Sequence, residues 1–128
     1  MILGIGVDIV DIERFDTWHV KPIDQLKYIF SPEEISYCLE MPLHSAERFA
    51  VRFAAKEAFY KAYCAWQTQP IPFNGVAKWV SVGKSPQGVP HLLVSWQQLE
   101  APFEPLTHIT LSHGKTAAIA YVLLESHN

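Results

Sequence analysis

At residues 52–62 the chain reads Arg52-Phe53-Ala54-Ala55-Lys56-Glu57-Ala58-Phe59-Tyr60-Lys61-Ala62, the centre of a helical pattern that runs from about Ser45 to Trp66. Apolar residues occupy nearly every side of this pattern, as is typical of a helix inside a protein. Glu57 and Lys61 could form an ordinary i, i+4 surface pair. However, burying four charges is costly unless partners or ligands compensate them, which favours a metal ion and a phosphate group as ligands.

The first segment, residues 2–10, alternates branched apolar residues with Gly4, Gly6 and Asp8, which predicts a β-strand. One face is apolar, and the other consists of glycine followed by a carboxylate. Glycine would let a bulky ligand come close, and a carboxylate at a strand end is a good ligand for a hard metal ion. The alternative is a helix-capping Asp8 and a solvated Arg14.

Capping signals predict two further helices. Asp11 is expected to cap a helix that begins near Ile12 and ends at Pro22. The run Ser31-Pro32-Glu33-Glu34 has the pattern of a capping box, and its helix should end before Pro42.

The second half of the chain changes to a strand period. Strands are expected at residues 76–82 and 90–96 around a turn at 85–88, followed by an irregular connector at 97–105. A final hairpin should pair residues 107–112 with 116–125 around His113-Gly114-Lys115. The whole pattern predicts one α+β domain over residues 1–128, with an N-terminal strand and three helices packed on an antiparallel sheet.

The composition excludes several classes of function. The chain has 128 residues, 49% of them hydrophobic, and a net charge of −3, so neither a nucleic acid nor a membrane is expected as a partner. Cys38 and Cys64 are expected to be buried free thiols in a reducing compartment. No basic leader precedes the first strand, and a cytoplasmic location is therefore expected.

The turn of the last hairpin is a further candidate site. In Ser112-His113-Gly114-Lys115, the histidine and the lysine, with free backbone N–H groups, could bind a phosphate there. An ordinary exposed hairpin explains the same residues equally well.

Two motifs together resemble those of the holo-acyl-carrier-protein synthases, which belong to the 4′-phosphopantetheinyl transferase superfamily. The first motif is Gly4-Ile5-Gly6-Val7-Asp8-Ile9-Val10-Asp11-Ile12-Glu13-Arg14-Phe15, and the second is residues 52–62. Gly88-Val89-Pro90 resembles the Gly-Lys-Pro turn of that family, and Ser112-His113 resembles its late Ser-His or Thr-His segment. The resemblance implies the 4′-phosphopantetheinyl transferase fold.

The resemblance also implies roles for individual residues. Asp8, Glu57 and Lys61 would be catalytic, with Asp8 and Glu57 binding Mg²⁺ and Lys61 contacting the attacked phosphate. Arg14 would contact the carrier protein. The residues expected to contact coenzyme A are Arg52, Lys56, Lys61, Gly88, Pro90, Ser112 and His113.

The implied reaction moves the 4′-phosphopantetheine group from coenzyme A to a serine of an apo acyl carrier protein, as in fatty acid biosynthesis, and releases adenosine 3′,5′-bisphosphate. Small members of the family form homotrimers with active sites between subunits. Either Glu57 or a metal-bound water could serve as the base.

Two departures from the family pattern keep a second interpretation open. Residues 64–70 replace a glycine-rich stretch, and Asp16 and Trp18 stand where positive charge is expected. The alternative is a non-catalytic paralogue that binds coenzyme A or a carrier protein. A metal-dependent phosphatase is disfavoured because further metal ligands at convincing spacing are missing from the sequence.

Overall fold

The computed structural model describes residues 1–68 and 70–128. Gln69, within the departing stretch at 64–70, lies outside the described residues. The strands are β1 (Ile2–Asp11), β2 (Val80–Lys84), β3 (Pro90–Val94), β4 (Leu106–His113) and β5 (Ala117–Glu125), and the α-helices are α1 (Ile23–Leu26), α2 (Pro32–Glu40), α3 (Ser45–Trp66) and α4 (Asn74–Ala77).

Two antiparallel sheets confirm the predicted α+β class. One sheet has the strand order β1–β5–β4, and the other pairs β2 with β3. The long helix α3 packs across β1 and β5 and lies at the centre of the core. The bounds of α3 are those predicted from the sequence, because its apolar pattern continues without interruption from Ser45 to Trp66.

The predicted start of α2 is also confirmed. The Ser31 hydroxyl accepts a hydrogen bond from the Glu34 backbone N–H at 3.2 Å, and the Glu34 carboxylate accepts one from the Ser31 N–H at 3.0 Å. Pro32 occupies the first turn, where its missing N–H costs nothing. This capping box fixes both the position and the direction of α2.

The prediction of one helix from Ile12 to Pro22 is wrong. The chain instead forms two short 3₁₀ turns, Ile12–Phe15 and Trp18–Val20, and Asp11 makes no side-chain cap. This tight path buries Phe15 and brings its ring to 4.5 Å from that of Trp18. Pro22 precedes the short helix α1 instead of ending a longer one.

The strand predicted at residues 76–82 starts four residues later. Residues 74–77 form α4, and β2 begins at Val80. The Lys56 ammonium explains the change, because it bonds to the carbonyl oxygens of both Ala77 and Val80 and bends the chain around it. In the connector, residues 96–100 form a turn in which the Leu99 N–H is bonded to the Ser95 carbonyl.

The two glycines of β1 lie directly against α3. A β-carbon on Gly6 would sit 1.9 Å from the Ala58 carbonyl oxygen, and one on Gly4 would sit 2.0 Å from that of Ala62. These distances are far below van der Waals contact. The glycines therefore accommodate the helix backbone and not a ligand, which corrects the interpretation drawn from the sequence.

The opposite face of β1 is apolar and exposed. Val7 pairs with Tyr121 of β5, and Ile9 pairs with Ile119. These four side chains and Ile5 are between 39% and 66% exposed. They form the outer sheet face, and apolar side chains clustered in this way commonly mark an interaction surface.

Both cysteines are free, as expected, but Cys64 is only partly buried, contrary to the expectation. Cys38 is buried, and burial raises the pKa of its thiol to about 12, so that it remains protonated. Within residues 1–68 and 70–128, no helix is both long enough and apolar enough to span a membrane.

Candidate active site

Asp8 and Lys61 form an ion pair where β1 crosses α3. The Lys61 Nζ lies 3.1 Å from Asp8 Oδ1 and donates a second hydrogen bond to the Val7 carbonyl at 3.0 Å. The Asp8 side chain is 15% exposed and that of Lys61 is 51% exposed. The pair therefore stands at the edge of the core, where a ligand can reach the ammonium.

The second oxygen of Asp8 is buried and has no hydrogen-bond partner among the described residues. Such orphaned polar atoms are rare in folded proteins, because burial without a partner is costly. A carboxylate oxygen in this situation fits a cation as its missing partner.

Glu57 lies one turn before Lys61 on α3, where the negative charge of Asp8 acts on its carboxylate. Partial burial raises the pKa of Glu57, and the negative charge of Asp8 raises it further. Lys61 and Arg14 act in the opposite direction. The Asp8 carboxylate is therefore near enough to Glu57 for its negative charge to act on the Glu57 carboxylate.

The donor set suits magnesium. Across residues 1–68 and 70–128, no group of three or more His, Cys, Asp and Glu side chains is arranged to hold a metal ion. The protein would therefore supply only the two carboxylates, Asp8 and Glu57. Mg²⁺ is commonly held by one or two carboxylates, with substrate phosphates and water completing its shell.

Beside Glu57 lies an open cavity of about 440 Å³. Arg14 stands at its wall, with its guanidinium 4.7 Å from the centre of the Phe53 ring. The lining combines aromatic and cationic side chains, namely Arg14, Trp18, Lys21, Gln25, Leu26, Ile29, Phe53, Glu57 and Phe73.

A second, basic cavity of about 220 Å³ collects four of the residues expected to contact coenzyme A: Arg52, Gly88, Pro90 and His113. Gly88 has a φ of +83°, a conformation that favours glycine in the turn between β2 and β3. Ser112 is exposed and lies outside the residues that line this cavity.

Sequence reasoning missed several residues of the basic cavity. Tyr37, Glu47, Arg48 and Lys84 also line it, and Glu47 lies 3.5 Å from His113. The i, i+4 spacing of Arg48 and Arg52 was an available signal, since it places both side chains on one face of α3. Nothing in the local sequence predicts that Tyr37 and Lys84 meet them.

Lys56 belongs neither to the site formed by Asp8, Glu57 and Lys61 nor to the basic cavity. It is completely buried, and its Nζ lies 2.7 Å from Glu34 Oε1 and donates to the carbonyls of Ala77 and Val80. Burial lowers the pKa of Lys56, and the neighbouring Glu34 carboxylate opposes this. With no exposed surface, Lys56 is unavailable to coenzyme A, contrary to the expectation from the sequence.

The carboxylate pair and the basic cavity face different directions within one chain. Their cavities share no lining residue. Arg52 and Glu57 are five residues apart on α3, which separates their directions by roughly 140° around the helix axis.

Comparison with known proteins shows the family and the fold of the chain. The family model described as "4'-phosphopantetheinyl transferase superfamily" matches residues 4–124. A holo-[acyl-carrier-protein] synthase from Cytophaga hutchinsonii is 37% identical over 133 aligned positions, which cover 99% of this chain and 100% of that protein.

Solved structures agree with this comparison. The holo-(acyl-carrier-protein) synthase from Bacillus anthracis, in complex with CoA (3′,5′-ADP), has a TM-score of 0.74 and 29% identity, covering 98% of both chains. The Helicobacter pylori synthase in complex with coenzyme A has a TM-score of 0.71 and 28% identity, covering 94% of this chain and 99% of that one.

The chain belongs to the 4′-phosphopantetheinyl transferase superfamily. Its full-length relatives within that superfamily are holo-acyl-carrier-protein synthases.

Proposed function

We propose that the chain catalyses Mg²⁺-dependent transfer of the 4′-phosphopantetheine group from coenzyme A to a serine of an apo acyl carrier protein. The observation that carries this proposal is the buried, unpartnered oxygen of Asp8 beside Lys61, in the field of Glu57. The holo-acyl-carrier-protein synthases among the relatives and the coenzyme A complexes of two structural neighbours support it.

Asp8 and Glu57 would hold the magnesium ion, since their two carboxylates match what Mg²⁺ takes from proteins. A bound Mg²⁺ ion would neutralise negative charge on the pyrophosphate of coenzyme A.

Lys61 is suited to the transferred phosphate. Its ammonium is half-exposed and is held in place by Asp8 and by the Val7 carbonyl. A fixed positive charge stabilises the negative charge that develops on a phosphate during transfer, without any reorganisation at that moment.

The proposed step exchanges one phosphorus–oxygen bond for another. The carrier serine oxygen attacks the phosphorus that carries the pantetheine arm, and the bond from this phosphorus to the bridging oxygen breaks. Adenosine 3′,5′-bisphosphate leaves with the electron pair of that bond. The serine gives up its proton in this step, and the Glu57 carboxylate is a candidate acceptor for it on this chain.

The basic cavity would bind the rest of coenzyme A. Arg52 is only 7% exposed, and among the described residues no carboxylate lies within 4.0 Å of it. A largely buried arginine without a carboxylate partner is suited to bind an anion, and the phosphates of coenzyme A would supply one. Gly88, Pro90 and His113 line the same cavity.

The positions of the carboxylate pair, Asp8 and Glu57, and of the basic cavity support an active site shared between subunits. Within one chain they face different directions, so that one coenzyme A reaches both only if the basic cavity of one subunit adjoins the carboxylates of the next. The apolar outer sheet face offers a surface for this contact. The proposal therefore includes a homotrimer with active sites between subunits, located in the cytoplasm.

The carrier protein would approach the cavity beside Glu57. Arg14 and Lys21 give its wall positive charge, while Phe53 and Phe73 give it apolar surface. This combination suits an amphipathic acidic helix of a carrier.

Mass spectrometry tests the proposed function directly. The protein is incubated with Mg²⁺, coenzyme A and a panel of apo carrier proteins, and each carrier is weighed for the added phosphopantetheine mass. Lack of modification of every carrier, with coenzyme A still bound, would overturn the transferase and favour the non-catalytic paralogue.

A further inference from the structure

Three cations from two elements of the fold lie around the ring of Tyr37. The guanidinium carbons of Arg48 and Arg52 lie 3.9 Å and 4.2 Å from the ring centroid, and the Lys84 Nζ lies at 5.8 Å. Tyr37 belongs to α2, the arginines to α3 and the lysine to β2. The half-buried ring therefore stands where three walls of the basic cavity meet.

The three cations differ in whether a nearby carboxylate neutralises their charge. Arg48 donates to the Tyr37 carbonyl at 2.7 Å and to Glu40 at 3.1 Å. In the described part of the chain, neither Arg52 nor Lys84 has a carboxylate within 4.0 Å. The cluster therefore keeps positive charge that its own side chains do not neutralise.

An aromatic ring holds cations in a way that a carboxylate cannot. The ring face attracts a guanidinium electrostatically, but it does not occupy the N–H donors at the edge of the guanidinium plane. It also offsets the repulsion between Arg48 and Arg52, which are like charges at i, i+4. Arg52 is thus held in place while it remains available to an anion.

We infer that Tyr37 is a positioning residue for phosphate binding, which holds Arg52 at the wall of the basic cavity without neutralising it. The inference rests on the proposed function, in which the anion is a phosphate of coenzyme A. The observed contacts are with the ring, because the two guanidinium carbons lie 3.9 Å and 4.2 Å from its centroid.

Two substitutions separate the ring from the hydroxyl. Tyr37→Leu removes the aromatic face, and Tyr37→Phe keeps it. Isothermal titration of coenzyme A into the full chain with Mg²⁺ should show affinity about fivefold to tenfold lower for Y37L, and affinity within about twofold of wild type for Y37F. At saturating coenzyme A, kcat and the KM for the carrier should be unchanged in both.

The matched control is Tyr28→Leu, an exposed tyrosine outside the residues that line either cavity, which should leave coenzyme A affinity unchanged. An Arg52→Gln background tests the route of action, because the loss caused by Y37L should largely disappear there. If Y37L does not fold, Tyr37→Met removes the ring with a more adaptable side chain.

Equal binding of coenzyme A by Y37L and wild type, or equal losses in Y37L and Y37F, would overturn the inference and leave the transferase standing. A full Y37L loss in the Arg52→Gln background would also overturn it, since Tyr37 would then act by another route. Failure of the wild-type protein to bind coenzyme A would overturn the inference and the proposed function together.

Discussion

Gly6 lies so close to the Ala58 carbonyl that a β-carbon on the glycine would stand 1.9 Å from that oxygen. The contact joins β1 to α3 two residues before Asp8 and one residue after Glu57. The backbone of the strand and that of the helix therefore set the relative positions of the two carboxylates directly.

Substitution of Gly6 should disturb the site as well as the fold. Gly6→Ala forces the strand away from the helix, and we expect a loss of about 2 kcal/mol or more of unfolding free energy, as overpacking of a core does. Urea denaturation measures the loss. Gly88→Ala, at a turn with open space around it, is the comparison that tests backbone strain alone. Unchanged stability of the Gly6 variant would contradict the close contact.

The carboxylates should control metal-dependent turnover. Asp8→Asn and Glu57→Gln each remove one negative oxygen ligand, and we expect kcat to fall by about 100-fold or more, since transition-state electrostatics is lost. Activity is measured over a magnesium titration. Glu33→Gln, an exposed carboxylate in the first turn of α2, is the matched control and should retain full activity.

The same change at Glu57 should stabilise the protein without metal. The pKa of Glu57 is raised above the ordinary 4.5, so its contribution favours the folded state below that value and is lost as the pH rises through the folded-state pKa. Glu57→Gln should therefore raise Tm at pH 7 in the presence of a chelator, with a smaller gain near pH 4. A lower Tm at pH 7 would contradict the raised pKa of Glu57, which burial and the negative charge of Asp8 produce.

The buried Glu34–Lys56 pair should be a structural requirement. Its atoms are 2.7 Å apart, and each side chain is nearly or completely buried. Lys56→Met leaves the Glu34 charge unpaired, and we expect a loss of about 3–5 kcal/mol of unfolding free energy. Combining it with Glu34→Gln should recover part of this loss. Wild-type stability of the Lys56→Met variant alone would show that the fold does not need the Glu34–Lys56 pair.

Mixed subunits should reveal whether the active site is shared. Arg52→Gln and Glu57→Gln are each expected to be inactive alone. If each site draws one group from each of two subunits, equal co-expression should restore activity at about a quarter of the interfaces. Mixed subunits that stay inactive would place Arg52 and Glu57 of one active site in the same subunit.

Size-exclusion chromatography checks the trimer, and Val7→Glu on the outer sheet face should disrupt it.

Local patterns sufficed for much of the fold. The capping box at Ser31 and Glu34 and the unbroken apolar pattern of α3 specify their helices through neighbours in the sequence. The predicted helix after Asp11 failed because burial of Phe15, against which Trp18 packs, overrode a weak capping signal. Likewise, the start of β2 depends on Lys56, which lies more than twenty residues earlier in the chain.

By itself, the sequence determined the two motifs, the family resemblance and the long helix, because each depends on residues close together in the chain. Only the tertiary structure decided the roles of the cations. Burial against Glu34 removed Lys56 from the site, whereas Tyr37 and Lys84 joined Arg52 because α2 and β2 pack beside α3. A charge contributes to binding only where its surroundings leave it unneutralised and accessible, and packing between distant segments sets those surroundings.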